Sequence, residues 1–118
     1  MIDHITVGVT DFARSKAFYE KALAPLGWKV MMEFGPSAGF GDIHPHFWIA
    51  QRNDASGKLH VAFRARDRAT VDAFYQAALA AGGKDNGAPG IRAQYSPTYY
   101  GAFVFDLDGN NVEAVNHG

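Results

Sequence analysis

The sequence predicts an α+β fold made of two copies of one βαβββ module, and three observations carry that prediction. First, the chain repeats itself without a gap from His4-Ile5-Thr6-Val7-Gly8-Val9, whose His4 falls on His60, as far as Gly27 on Gly83. Asp11 meets Asp67, Ala17-Phe18-Tyr19 meets Ala73-Phe74-Tyr75, and Ala22-Leu23-Ala24 meets Ala78-Leu79-Ala80. A duplication of this length defines two supersecondary units rather than a solenoid array. Second, each copy opens with strict alternation, the period of a half-buried strand. Third, each alternating run gives way to an apolar stripe spaced three and four apart, which is helical.

The elements follow in order. Ile5, Val7 and Val9 share one strand face, and His4, Thr6 and Gly8 the other. Asp11 stands where an N-cap belongs, and the stripe Phe18, Tyr19, Ala22, Leu23 and Leu26 carries a helix that Gly27 closes. Residues 28–34 read as a second strand, Gly35-Pro36-Ser37 as a turn, and short strands are expected around 39–42 and 46–51. The polar stretch 52–58 links module one (about 1–54) to module two (about 57–118). In the second module Val61, Phe63 and Ala65 oppose His60, Ala62 and Arg64, and Asp67 caps a helix with the stripe Val71, Phe74, Tyr75, Ala78 and Leu79. Gly82-Gly83 ends that helix, and 84–99 lacks a clear period, although it is long enough to hide a short strand. Strands at 101–105 and 111–115, joined through Asp108-Gly109, complete the copy. One face of each sheet packs under its helix, which leaves the opposite, concave face free.

At 118 residues the chain is one domain in size, with 47% apolar content and a net charge of −1. That balance gives no general attraction for nucleic acid or anionic membrane, and no apolar run is long enough to span a bilayer. Zero cysteines exclude disulfides, thiolate ligands and a cysteine nucleophile. Met1-Ile2-Asp3 runs directly into the first strand, so no secretory leader is expected and the cytoplasm is the default location.

His4 and His60 occupy equivalent places on the free face. In the last strand Asn111, Glu113 and Val115 oppose Val112 and Ala114, which points Glu113 to the same face as the histidines. Two imidazoles and a carboxylate from three strands suit a divalent ion, with positions left for water and substrate, and zinc, nickel, manganese and iron are not distinguished by that set. Alone, each histidine reads as an ordinary polar strand residue; its recurrence in the repeat shifts the balance. His44, His46 and His117 have no repeat partner and read as exposed polar residues. Tyr95, Tyr99 and Tyr100 lie on or beside the aperiodic stretch, where aromatic packing and a hydroxyl reaching the site are weighed about evenly. Tyr99 and Tyr100 are preferred as catalytic candidates because they border the seventh strand.

The chain resembles the vicinal oxygen chelate superfamily, which includes glyoxalase I, extradiol dioxygenases, fosfomycin-resistance thiol transferases and bleomycin-binding proteins. The resemblance covers essentially the whole chain. It rests on Asp3-His4-Ile5, Phe18-Tyr19, Leu23 to Gly27, His60-Val61-Ala62-Phe63 and Asp106 to Glu113, with Leu107 where proline is usual. It implies modules paired into a curved, barrel-like mixed β-sheet with helices outside, metal ligands at His4, His60 and Glu113, and a homodimer in which modules can be exchanged.

The same resemblance limits the chemistry. The fourth-strand glutamate of many glyoxalases falls here on Trp48 or Ile49, neither of which binds metal, so Phe47 and Trp48 are expected to wall a substrate pocket with Arg92 and Tyr95. Phe103 stands where dioxygenases carry a tyrosine, and Phe105 where the fosfomycin enzymes carry a lysine, leaving Arg92 and Arg64 as anion partners. The expected function is therefore a small metal-dependent enzyme whose small-molecule substrate chelates the ion through neighbouring oxygens, nominally a lyase or isomerase of the glyoxalase kind. The alternatives are a binder that sequesters an aromatic compound and a thiol transferase.

Overall fold

A computed structural model describes all 118 residues. β1 (Ile5–Val9), α1 (Phe12–Leu23), β2 (Lys29–Phe34), β3 (Ser37–Gly41) and β4 (Pro45–Gln51) form the first module. β5 (His60–Arg64), α2 (Arg68–Ala80), β6 (Lys84–Ile91), β7 (Tyr100–Phe105) and β8 (Asn111–Asn116) form the second. Both helices start as their sequences direct: the Asp11 carboxylate accepts the Arg14 N–H at 3.1 Å, and that of Asp67 accepts the Thr70 N–H at 2.8 Å. α1 stops three residues before the sequence stripe ends, and Ala24–Leu26 tightens into a 3₁₀ turn. Pro25 is the cause, because it has no N–H for the helical ladder and its ring crowds the preceding turn. No helix is long and apolar enough to cross a membrane.

The strands make two four-stranded sheets, ordered β1-β4-β3-β2 and β5-β8-β7-β6. In each, the opening strand runs parallel to the last one and the remaining pairs are antiparallel. The paired-module α+β architecture is thus the one the repeat predicts. No ladder joins the halves, so the β component is two separate sheets rather than one continuous barrel-like sheet, and β1 and β5 are both edge strands.

β6 is the largest departure from the sequence reading. Residues 84–91 pair with β7, but the register slips between Asp85 and Gly87 and again between Gly87 and Gly90. Bulges erase a period of two, and Pro89 is tolerated because β6 is an edge.

One core serves both modules. Nineteen buried residues form a single cluster, in which Phe47 and Phe63 cross the module boundary with ring centroids 5.2 Å apart, and Trp28 meets Phe63 at 5.3 Å. Two polar ties add to it. The Tyr19 hydroxyl of α1 donates to the buried carboxylate of Asp106, in the turn between β7 and β8. Thr10, just after β1, donates through its N–H to Asp108 at 3.1 Å and through its hydroxyl at 2.5 Å.

Burial, followed by the Asp106 charge, holds the Tyr19 phenol well above its usual 10.0. Its folded pKa is raised, so the stability it lends is fully present below pH about 10 and drains away as the pH climbs beyond that value. The urea midpoint should therefore fall steeply above about pH 10, and absorbance titration should show Tyr19 ionising only as the fold opens. Ionisation of all five tyrosines before the circular-dichroism signal changes would contradict this.

Candidate metal centre

Strand parity assembles the site. Glu113 lies on β8 between Ala62 of β5 and Phe103 of β7, and points away from α2. His60, two residues before Ala62, projects from the same face, and its Nε2 stands 2.8 Å from Glu113 Oε1. The Glu113 side chain is 2% exposed while that of His60 is 54% exposed, so His60 is the solvent side of the pair. Burying a carboxylate is costly unless its charge is paired, hydrogen-bonded or metal-bound. Here its second oxygen accepts a hydrogen bond from the Tyr99 hydroxyl.

Tyr99 reaches that oxygen across Gly101, whose lack of a side chain keeps the contact uncrowded. A Cβ there would sit 3.2 Å from the Tyr99 ring and 3.3 Å from Glu113 Oε2. Burial first, then the hydrogen bond to Glu113, pushes the Tyr99 phenol up to about 12, with Arg92 opposing. The hydroxyl therefore keeps its proton and remains a donor across the ordinary pH range. Tyr95 and His117 flank the same ring at 5.0 and 5.2 Å. His117 is exposed, as the sequence analysis expects, and meets the Tyr99 ring edge-on from the solvent side.

The next residue along the strand behaves differently. Tyr100 points to the helix side, and its hydroxyl donates to Asp72 of α2 at 2.7 Å. Successive strand residues face opposite ways, so Tyr99 reaches Glu113 and Tyr100 does not. Phe103 lies beside the His60 ring at 6.1 Å, and the Arg92 guanidinium lies over the Phe103 ring at 5.3 Å.

His4 stands apart from this group. It lies on the free side of the first sheet, where its Nδ1 is 2.7 Å from Asp3, and with Asp3, His44, Pro45 and Trp48 it lines a hollow of about 390 Å³. The register pairs Thr6 with Trp48, which puts Trp48 on the His4 side and Ile49 in the core. Trp48 stacks on Phe34 at 6.1 Å, whereas Phe47 is buried at 2% exposure against Tyr19 and Phe63. The two aromatics expected to share a wall therefore face opposite ways. His46 is half-buried, with Nδ1 3.1 Å from the Asp3 carbonyl oxygen.

Within one chain no three His, Asp or Glu side chains are grouped to hold an ion. His60 and Glu113 fit a divalent cation as a pair: a half-exposed imidazole nitrogen beside a buried carboxylate oxygen, on a face open to solvent. A third protein ligand has to come from elsewhere.

The family model described as the Glyoxalase/Bleomycin resistance protein/Dioxygenase superfamily matches residues 1–114. A solved glyoxalase/bleomycin resistance protein from Albidiferax ferrireducens T118 superposes with a TM-score of 0.82 at 27% identity, covering 98% of each chain. A glyoxalase/bleomycin resistance protein/dioxygenase family enzyme from Burkholderia phytofirmans PsJN gives 0.78 at 16% identity, covering 99% of this chain and 98% of its own. The fosfomycin resistance protein FosX from Listeria monocytogenes gives 0.75 at 16%, covering 100% of this chain and 93% of its own. The last two show a shared fold alone. No functionally curated protein matches the chain.

Proposed function

The chain belongs to the glyoxalase/bleomycin resistance protein/dioxygenase superfamily, and from that premise we propose that it is a divalent-metal-dependent enzyme acting on a small substrate with neighbouring oxygens. The observation that carries the reading is the contact between His60 and Glu113, which joins the histidine of the repeat to the terminal carboxylate at 2.8 Å. The superfamily typically binds a divalent ion, and its members commonly dimerise. In this proposal the third ligand is His4 of a second copy, since one chain keeps its own His4 on the other sheet. The protein is then a homodimer with shared sites, nominally a lyase or isomerase of the glyoxalase kind.

When bound, the ion would supply Lewis acidity that polarises the substrate oxygens and stabilises developing negative charge. The chain's own residues do the rest. Tyr99 fixes Glu113 Oε2 and leaves Oε1, beside His60 Nε2, as the oxygen that faces the ion. Burial and the bond to Glu113 push the Tyr99 phenol up to about 12, which makes it a hydrogen-bond donor to Oε2. Phe103 flanks the imidazole on one side, with ring centroids 6.1 Å apart.

Uptake of zinc, manganese, nickel or ferrous iron by the purified protein, read by elemental analysis after desalting, tests the reading. Failure to retain any of them would refute it. Tyr99→Phe should fold normally and bind the same ion about 10- to 100-fold more weakly, the usual cost of losing an outer hydrogen-bond partner of a ligand. Unchanged affinity would show that the phenol does not orient Glu113.

A further inference from the structure

Arg92, expected from the sequence as an anion partner, is a charged side chain built into the free face of the second sheet, and the metal reading gives its charge no role. It is the cross-ladder neighbour of Tyr99: its backbone N–H donates to the Tyr99 carbonyl at 2.8 Å, one step beyond the Ile91–Tyr100 pair. Directly opposed strand residues share a face with Cβ atoms about 5 Å apart, so Arg92 stands on the side where the Tyr99 hydroxyl holds Glu113.

The guanidinium is held in place. Nη1 donates to the Gly90 carbonyl at 2.9 Å, and Nη2 donates to the Ala88 carbonyl at 2.7 Å. The plane lies over the Phe103 ring, whose other neighbour is the His60 imidazole. The glycines of β6 make this pose possible. A Cβ at Gly87 would come within 3.1 Å of Nη2, and one at Gly90 within 3.2 Å of Nη1. No carboxylate pairs with Arg92, although other basic side chains of this protein do find acidic partners, among them Lys16 with Glu33 and Arg66 with Asp67. Of its five N–H donors, two serve the backbone and three remain.

We propose that Arg92 is an oxyanion subsite, and that the substrate is an acid whose carboxylate or phosphonate sits on this guanidinium while its neighbouring oxygens lie toward His60 and Glu113. A cation fixed by neutral carbonyls keeps its whole charge for the ligand, and a guanidinium fork matches an oxyanion with two parallel hydrogen bonds. Phe103 stands between the two ends, its ring centroid 5.3 Å from the guanidinium carbon and 6.1 Å from the His60 ring centroid. The substrate therefore carries its acidic group and its chelating oxygens at opposite ends. The inference takes the second end from the proposed function; the first end stands on Arg92 alone.

The test uses the full chain, zinc-loaded and again after chelator dialysis, with 3,4-dihydroxyphenylpropionate, its phosphonate analogue and its neutral methyl ester as probes, since the catechol oxygens and the acid lie at opposite ends. Binding is read by NMR, including the Arg92 Nε–H resonance. The acids should bind roughly tenfold or more tightly than the ester and shift that resonance. Arg92→Met should abolish the preference, and Arg92→Lys, which keeps the charge but loses the fork, should restore only part of it. The stronger of the two acids identifies the oxyanion as planar carboxylate or tetrahedral phosphonate. Acid and ester behaving alike, whether both bind or neither does, would overturn the subsite, as would a preference that survives in Arg92→Met. Acid preference in protein that takes up no zinc when it is offered would leave the Arg92 subsite standing and remove the metal reading instead.

Discussion

His60→Ala should abolish uptake of the divalent ion while leaving the protein folded. The imidazole is more than half exposed, and its loss leaves Glu113 Oε1 without a partner while Tyr99 still holds Oε2, so the change should cost the fold about 1–3 kcal/mol without unfolding it. Its loss costs the ion one of two ligands present in the same chain, which exceeds the 10- to 100-fold penalty of losing an outer partner. Thermal melts separate the two effects. Zinc at about 100 times its dissociation constant should add about 2.7 kcal/mol to the wild-type protein, a rise of about 10 °C for a domain of this size. The variant should melt below the apo wild type and gain nothing from zinc. An unchanged zinc-dependent rise would remove His60 from the site.

Asp106→Ala should be among the most destabilising single changes in the molecule, by about 3–5 kcal/mol in urea unfolding. The carboxylate is 6% exposed and accepts four hydrogen bonds: from the backbone N–H of Asp108 at 3.0 Å, from Asn110 N–H at 2.8 Å, from Asn110 Nδ2 at 2.9 Å and from the Tyr19 hydroxyl. Alanine would leave the Tyr19 hydroxyl and the Asn110 amide buried without partners, each at a cost of about 1–3 kcal/mol. The damage should reach the site as well, because the turn that Asp106 shapes leads into β8 and Glu113. Tyr19→Phe removes one donor and keeps the other three, so it should cost roughly 1–2 kcal/mol. In the double variant the two losses should fall short of additive, since both remove one shared bond. Additive losses would mean that Tyr19 and Asp106 act independently.

The parts of this molecule visible in its sequence are those set by a repeat or a period. The duplication of His4 on His60 gave the two modules, and alternation in 111–115 put Glu113 on the His60 face, where the structure has them in contact. What stayed hidden depends on distance across the fold or on broken regularity. Paired histidines in a repeat imply equivalent places but not adjacent ones, and the two sheets keep His4 and His60 on separate surfaces. β6 lacked a period because two register slips and Pro89 interrupt it. Without β6 the parity of Tyr99 and Tyr100 had no anchor, so both stood as candidates although a strand sends neighbours to opposite faces. Phe47 and Trp48 raised the same difficulty, which the pairing of β1 with β4 resolves.

The most direct measurement of the central claim is ion binding by a mixture of two inactive partners. His4→Ala and Glu113→Ala proteins, each purified alone, should retain no stoichiometric zinc. Co-refolded in equal amounts, they should regain it, because a hybrid pair contains one intact set made of His4 from one copy and His60 with Glu113 from the other. A mixture that stays empty, or a His4→Ala protein that binds zinc as tightly as the wild type, would contradict a site shared between two copies.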